Sequence, residues 1–266
     1  MSSALRYVLT VMVGVSTALL PGTVATSGAA APAQATVANV APAAGDVVGV
    51  AMPITVTFTK PVADRAAAER AIDISSPKTP AGTFSWVASD QVRWTPSAYW
   101  PAHSTVSVTA LGFKTTFGTG AAVLGVADID AHTFTVSIDD QVVRTMPASM
   151  GKPKHPTPIG SFTALEKQSP VIMDSRTIGI PLSDPDGYKL TVYNAVRVTW
   201  GGVYVHGAPW SVGSQGNANV SHGCINLSPA NAQWFYDNFG SGDPVVIKNS
   251  AGIYNQPDGA SDWQIF

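Results

Sequence analysis

The chain has 266 residues, only 12% of them charged, with 24 glycines, 20 prolines, one cysteine and a net charge of −2. That length allows one or two domains with real hydrophobic cores, and the wealth of turn formers suits a β-rich protein better than a helical one. The balanced charge, without any basic run, excludes an electrostatic footprint for nucleic acid, and the lone cysteine excludes an intrachain disulfide framework.

The first residues read as an export signal. Arg6 supplies a positive flank, Tyr7 to Leu20 form an apolar stretch of signal-core length, and Pro21–Gly22 breaks it. Small residues follow, with overlapping Ala-x-Ala sites at 29–35; an uncleaved N-terminal membrane tether is the alternative reading. No cysteine follows the apolar stretch, so lipid attachment through an N-terminal cysteine is excluded. Residues 1–35 are therefore assigned to the signal and the start of an Ala/Pro-rich linker, and the protein to the space outside the cytoplasmic membrane.

From about Val47 short alternating runs appear: Ile54–Phe58, Thr83–Trp86, Gln91–Trp94 and Val106–Val108, with prolines and glycines between them. This pattern predicts a small β-sandwich over 36–119, with a helical turn or two at Asp64–Ala71. The sandwich has no cluster of titratable groups, and His103, alone beside Pro101, reads as a structural or surface histidine.

A second domain is expected over 120–250. Val123–Ala127, Thr133–Ile138 and Gln141–Val143 read as strands, the last two joined by an Asp139–Asp140 hairpin turn. Three prolines between 153 and 158 make Gly151–Phe162 an ordered loop, and His155 within it, far along the chain from other titratable pairs, is given a loop role. Ser183–Gly187 is a turn leading to Tyr188. Leu190–Tyr193, Gly202–His206 and Val245–Lys248 read as strands. One helix stands out: Ser228 caps it, Pro229 opens it, Ala232, Phe235, Tyr236 and Phe239 share a face, and Gly240 ends it. The tail, 251–266, carries Tyr254, Trp263, Ile265 and Phe266 and is expected to pack back on the domain.

The chemistry converges on Ser221–His222–Gly223–Cys224–Ile225–Asn226, which follows a run of small polar residues. A sole cysteine in an exported protein is either inert or kept for reactivity. His206, eighteen positions upstream, and His222, two positions upstream, can each take the thiol proton; the residues alone do not separate them. Backbone N–H groups of Gly223 and Cys224 in a tight turn could receive an oxyanion. A zinc amidase using His206, His222 and Cys224 is a rival without supporting ligand spacing, so no metal and no cofactor is expected.

His206–Gly207, a gap, and then Ser221–His222–Gly223–Cys224 resembles the catalytic motif of the L,D-transpeptidases (the YkuD-type domain), as does the Thr-Pro-x-Gly-x-Phe core of the 151–162 loop. The resemblance covers roughly 121–250; Asn226 and the run His206–Ser211 are similar to the mycobacterial branch, which implies an immunoglobulin-like domain in front. It implies Cys224 as nucleophile, His206 as base oriented by the Gly207 carbonyl, and an oxyanion site from Tyr188 with the N–H groups of Gly223 and Cys224. It places Met173, Trp210, Ser221, His222 and Asn226 at the substrate. The implied partners are peptidoglycan stem peptides, a donor tetrapeptide and a diaminopimelate amine as acceptor, with carbapenems as covalent inhibitors. An L,D-carboxypeptidase and a non-catalytic wall-binding module are the alternatives. The run Ala208–Val220, with Trp210 as anchor and Gly213 and Gly216 as hinges, is expected to form a flap over the site.

Overall fold

The structure is a computed structural model that describes residues 35–256 and 260. The expected signal segment and the tail residues Trp263, Ile265 and Phe266 lie outside the described residues.

The front of the chain forms eight strands and one short helix: β1 (Val37–Ala41), β2 (Val47–Val48), β3 (Ile54–Phe58), α1 (Arg65–Arg70), β4 (Ile72–Ser75), β5 (Gly82–Ala88), β6 (Gln91–Pro96), β7 (Thr105–Ala110) and β8 (Phe113–Thr119). They make two sheets, ordered β1-β3-β6-β5 and β2-β8-β7-β4. The alternation read in Ile54–Phe58 is realised: Ile54, Val56 and Phe58 are buried and the threonines between them are not. Both sheets feed one core, in which Trp100 packs tilted against Trp94 and edge-on against Phe117, with centroids 5.4 and 6.3 Å apart. Asp64 caps α1 by accepting from the Ala67 N–H.

The rear has its own core between a five-stranded sheet and a four-stranded one. The strands are β9 (Val123–Asp128), β10 (Thr133–Ile138), β11 (Gln141–Pro147), β12 (Gly160–Thr163), β13 (Glu166–Gln168), β14 (Val171–Asp174), β15 (Lys189–Val192), β16 (Ala195–Arg197), β17 (Tyr204–Gly207), β18 (Ile225–Leu227) and β19 (Pro244–Lys248). The orders are β11-β10-β9-β19-β12 and β13-β16-β17-β18, with β14-β15 a separate ribbon. Helix α2 (Pro229–Asn238) buries Ala232 and Phe235, and Phe235 meets Phe134 edge-on at 5.1 Å. Ser228 Oγ accepts from the Asn231 N–H at its start. Asp139 and Asp140 both take positive φ, 48° and 65°, which is what a two-residue hairpin turn requires.

Two expectations need correction here. The strand foreseen at Gly202–His206 begins only at Tyr204, because Gly202, at φ 100°, closes a tight turn by donating to the Thr199 carbonyl. His103 is not alone: its Nε2 lies 2.9 Å from Asp139 Oδ2 on the β10–β11 turn. Of the tail, Tyr254 packs edge-on against Phe162 at 5.8 Å and its hydroxyl accepts from the Gly201 N–H.

The sandwich meets the rear through backbone. Gly49 donates to the Ser241 carbonyl and Ala51 to that of Gly242, at 2.9 and 2.8 Å. A Cβ on Gly49 would lie 2.1 Å from the Asp243 nitrogen, so glycine is obligatory there. Asp243 itself is buried and its Oδ2 accepts from the Gly240 N–H. Burial pushes its carboxyl up to about 7. An unfolded aspartate ionises near 3.9, so the folded protein alone holds the proton between roughly pH 4 and 7, and stability falls across that window as pH rises. Asp243→Asn is therefore expected to raise the melting temperature by several degrees at pH 8, by up to roughly 3–4 kcal/mol, and to change it little at pH 4. Calorimetry of both proteins across that range checks this; an equal shift at every pH would refute it.

Candidate active site

Strands β17 and β18 run parallel with His206 beside Asn226 and Val205 beside Ile225. Because side chains alternate along a strand, His206 and Asn226 share a face, and Cys224, two residues before Asn226, continues it. The base and the thiol are thus aimed by the register of two adjacent strands in a packed sheet.

His206 is almost wholly buried, 2% exposed, and its Nδ1 lies 3.0 Å from the Gly207 carbonyl. With Nδ1–H donating there, Nε2 is the basic nitrogen. Burial draws the imidazole down to about 4 against the pull of that hydrogen bond. Cys224 is half-buried, with Sγ 3.7 Å from the Gly202 carbonyl, and burial pushes its thiol up to about 11. Burial thus favours a neutral thiol and a neutral imidazole at rest.

The turn before the thiol departs from expectation. The Gly223 N–H, foreseen as an oxyanion donor, donates to Ser221 Oγ at 3.1 Å, and that hydroxyl donates to the Cys224 carbonyl at 2.6 Å. Ser221 therefore ties the turn together, and Gly223 supplies its positive φ of 119°. The Cys224 N–H and the Tyr188 hydroxyl remain as the candidate donors to an oxyanion. Burial pushes Tyr188 up to about 12, so its hydroxyl keeps the proton it would donate.

A cavity of about 230 Å³ opens on the thiol. All eight side chains singled out from the sequence line it: Met173, Tyr188, His206, Trp210, Ser221, His222, Cys224 and Asn226; Leu190, Val192 and Val220 join them. A second cavity, of about 590 Å³, reaches the same Cys224 past Met173 and Tyr188, and is walled by Trp200, Arg197 and Gln168.

The flap is placed differently from the sequence reading. The 208–220 run is pinned: Asn226 Nδ2 donates to Ser211 Oγ, Gln215 Nε2 to the Ala208 carbonyl, and the Gly216 N–H to that of Ala148. It is a fixed wall that presents Trp210, half-exposed, with its ring 6.0 Å from that of His206. The segment between the two cavities is the β14–β15 ribbon, which contributes Met173, Tyr188 and Leu190. Its second strand is legible at Leu190–Tyr193, but its four-residue partner Val171–Asp174 is not foreseen, and with it the ribbon.

His155 also needs correction. Its ring lies 5.0 Å from that of His222, whose other face is 4.8 Å from the ring of Tyr188. Its Nε2 is 3.8 Å from Asp186 Oδ2. Distance along the chain concealed a cluster that the fold assembles. Among the described residues, His155, Asp186 and His222 come within 4.8 Å as possible metal ligands, a set without Cys224 or His206. Lys152 and Lys154 already pair with the two oxygens of that carboxylate.

Comparison with known proteins bears directly on this site. Residues 123–247 match the model of the L,D-transpeptidase catalytic domain, and residues 17–111 that of a bacterial Ig domain. The chain is 57% identical over 250 residues to L,D-transpeptidase 1 of Mycobacterium tuberculosis, covering 93% of this chain and 99% of that one. The chain belongs to the L,D-transpeptidase family. Among solved structures, an L,D-transpeptidase from Mycobacterium smegmatis superposes with a TM-score of 0.78 at 67% identity, covering 80% of this chain and 99% of that one. LdtMt1 in complex with imipenem gives 0.76 at 62%, with the same coverage. The mainly β fold, an Ig-like sandwich followed by the catalytic domain of this family, is what the sequence reading expected.

Proposed function

We propose that this L,D-transpeptidase works through a Cys224 thioester on peptidoglycan stem peptides. The observation that carries the reading is one cavity lined by both the chain's only thiol and His206, whose Nδ1 is held by the Gly207 carbonyl at the end of a strand pair that sets His206 beside Asn226. Sγ attacks the carbonyl of the third residue of a donor tetrapeptide, at the peptide bond to the terminal D-alanine, while its proton passes to His206 Nε2. The oxyanion is received by the Cys224 N–H and the Tyr188 hydroxyl. His206 returns the proton to the departing amine, D-alanine leaves, and the acyl group stays on sulfur. The side-chain amine of a diaminopimelate on a second stem then attacks the thioester, losing its proton through His206, and the thiol is restored with a 3→3 crosslink formed. The two cavities that meet at Cys224 support entry of donor and acceptor from different sides, and Trp210, Met173, His222 and Asn226 line the first of them.

Water, present at about 55 M, competes for the thioester, and positioning of the amine at an effective molarity of about 10⁵–10⁸ M is what favours transfer. Incubation with tetrapeptide-stem muropeptides is expected to yield dimers joined between diaminopimelate residues. Tripeptide without dimer, even at high acceptor concentration, would mark an L,D-carboxypeptidase instead. A carbapenem, whose strained ring offers a similar carbonyl, is expected to acylate Cys224. This chemistry requires a location outside the cytoplasmic membrane, which the 1–35 segment would provide by export, whether cleaved or kept as a tether.

A further inference from the structure

Asp186 stands outside the cavity walls yet gathers more charged partners than any residue in them. Lys152 Nζ pairs with its Oδ1 and Lys154 Nζ with its Oδ2, the latter at 2.7 Å. Lys152 and Asp186 are both about three-quarters buried, 25% and 22% exposed, so their pair escapes most of the screening that weakens surface bridges. The two partners belong to different segments of the fold. Lys152 belongs to the nucleophile side: its N–H donates to the Ser221 carbonyl at 3.0 Å, and Ser221 Oγ fastens the Cys224 carbonyl. Asp186 belongs to the ribbon side, in a turn closed by the Gly187 N–H on the Asp184 carbonyl, two residues before Tyr188. Tyr188 is otherwise located by Ser175, through its N–H and carbonyl, and by the ring of His222. Of those contacts only the His222 ring reaches the nucleophile side, and it does so by ring packing; the ion cluster adds direct charged contacts from the ribbon side to the loop that braces the nucleophile turn.

We propose that Asp186 is a positioning residue for the transferase reaction: clamped by Lys152 and Lys154, it holds the ribbon so that the Tyr188 hydroxyl stays aimed at the carbonyl attacked by Cys224. The proposal rests on the reading of Tyr188 as an oxyanion donor. Its chemistry predicts a specific signature. Acylation by a carbapenem builds an oxyanion and needs Tyr188 in place, whereas alkylation of Cys224 by iodoacetamide displaces iodide at carbon and builds none.

The test measures carbapenem acylation, as kinact and KI, and iodoacetamide alkylation in the full chain for Asp186→Asn, Asp186→Glu, Tyr188→Phe and the Asp186→Asn/Tyr188→Phe double variant. Removing an oxyanion donor outright typically costs about 10²–10³-fold, so a displaced donor is expected to lower kinact about 10- to 30-fold in Asp186→Asn. KI and the alkylation rate should stay within about twofold, since binding and the thiol are untouched. Asp186→Glu should recover most of kinact, and the double variant should lose little beyond Tyr188→Phe, because both act through one group. An unchanged kinact in Asp186→Asn, an equal fall in the alkylation rate, or additive losses in the double variant would each overturn the clamp while leaving Tyr188 as donor. An inert Tyr188→Phe would overturn the donor reading and the clamp with it.

Discussion

Cys224→Ala is expected to lose carbapenem adduct formation and crosslinking completely, with the fold intact. The chain holds no other cysteine, so no second thiol can take over. A hydroxyl of the same turn, Ser221 Oγ, is committed to the Cys224 carbonyl and the Gly223 N–H, both of which persist in the variant because they are backbone groups. Cys224 is half-buried at the edge of a small cluster with Val192, Ala195 and Tyr204, and the substitution removes a single sulfur atom, so the stability change should stay near 1 kcal/mol. Intact mass after incubation with a carbapenem reads the outcome directly. A covalent adduct on the Cys224→Ala protein would require a nucleophile other than the thiol and would remove the basis of the thioester mechanism; a protein that fails to melt cooperatively would show that Cys224 is structural.

How far the site could be read in advance depended on whether its parts lie close along the chain. Strand alternation at Ile54–Phe58, the two-aspartate hairpin turn and the Ser228–Pro229 helix start are local signals, and each forms as read. The thiol, both histidines and Trp210 fall within one short stretch, a strand end at His206 followed by a run whose loop character was plain. What stayed hidden required partners from far away. The Asp186 cluster joins residues more than thirty positions apart, and the Lys152–Asp186 pair cannot be inferred from either neighbourhood. The Gly223 N–H looked available because nothing in a sequence shows that the Ser221 hydroxyl turns inward to occupy it. The 208–220 run looked mobile from its glycines, yet Gln215 ties it together through Ala208 and Ser211, and Asn226 of β18 fastens Ser211 to the sheet, by side-chain bonds that composition does not encode.

His206→Gln is expected to reduce acylation by about 10²–10⁴-fold, the usual contribution of a general base, while His222→Ala loses far less. The pH profile carries the sharper distinction. In the wild type the imidazole is depressed to about 4 and the thiol raised to about 11, both by burial. Protonation of His206 removes the base only below about pH 4, so kinact/KI should be level from roughly pH 5 to 9 and fall on the acid side near 4, well below the ordinary histidine value of about 6.5. A resting thiolate–imidazolium pair would instead show an acid limb set by the thiol. In His206→Gln no group accepts the proton during attack, and the rate should depend on the fraction of free thiolate. It should then climb tenfold per pH unit through the same range, as expected for a thiol that ionises only near 11. His222 lies between the rings of Tyr188 and His155, in the turn before β18 and outside the paired strands that hold His206, so its loss should lower the rate without reshaping the profile. A His222→Ala profile that climbs with pH, beside a level one for His206→Gln, would exchange the roles of the two histidines.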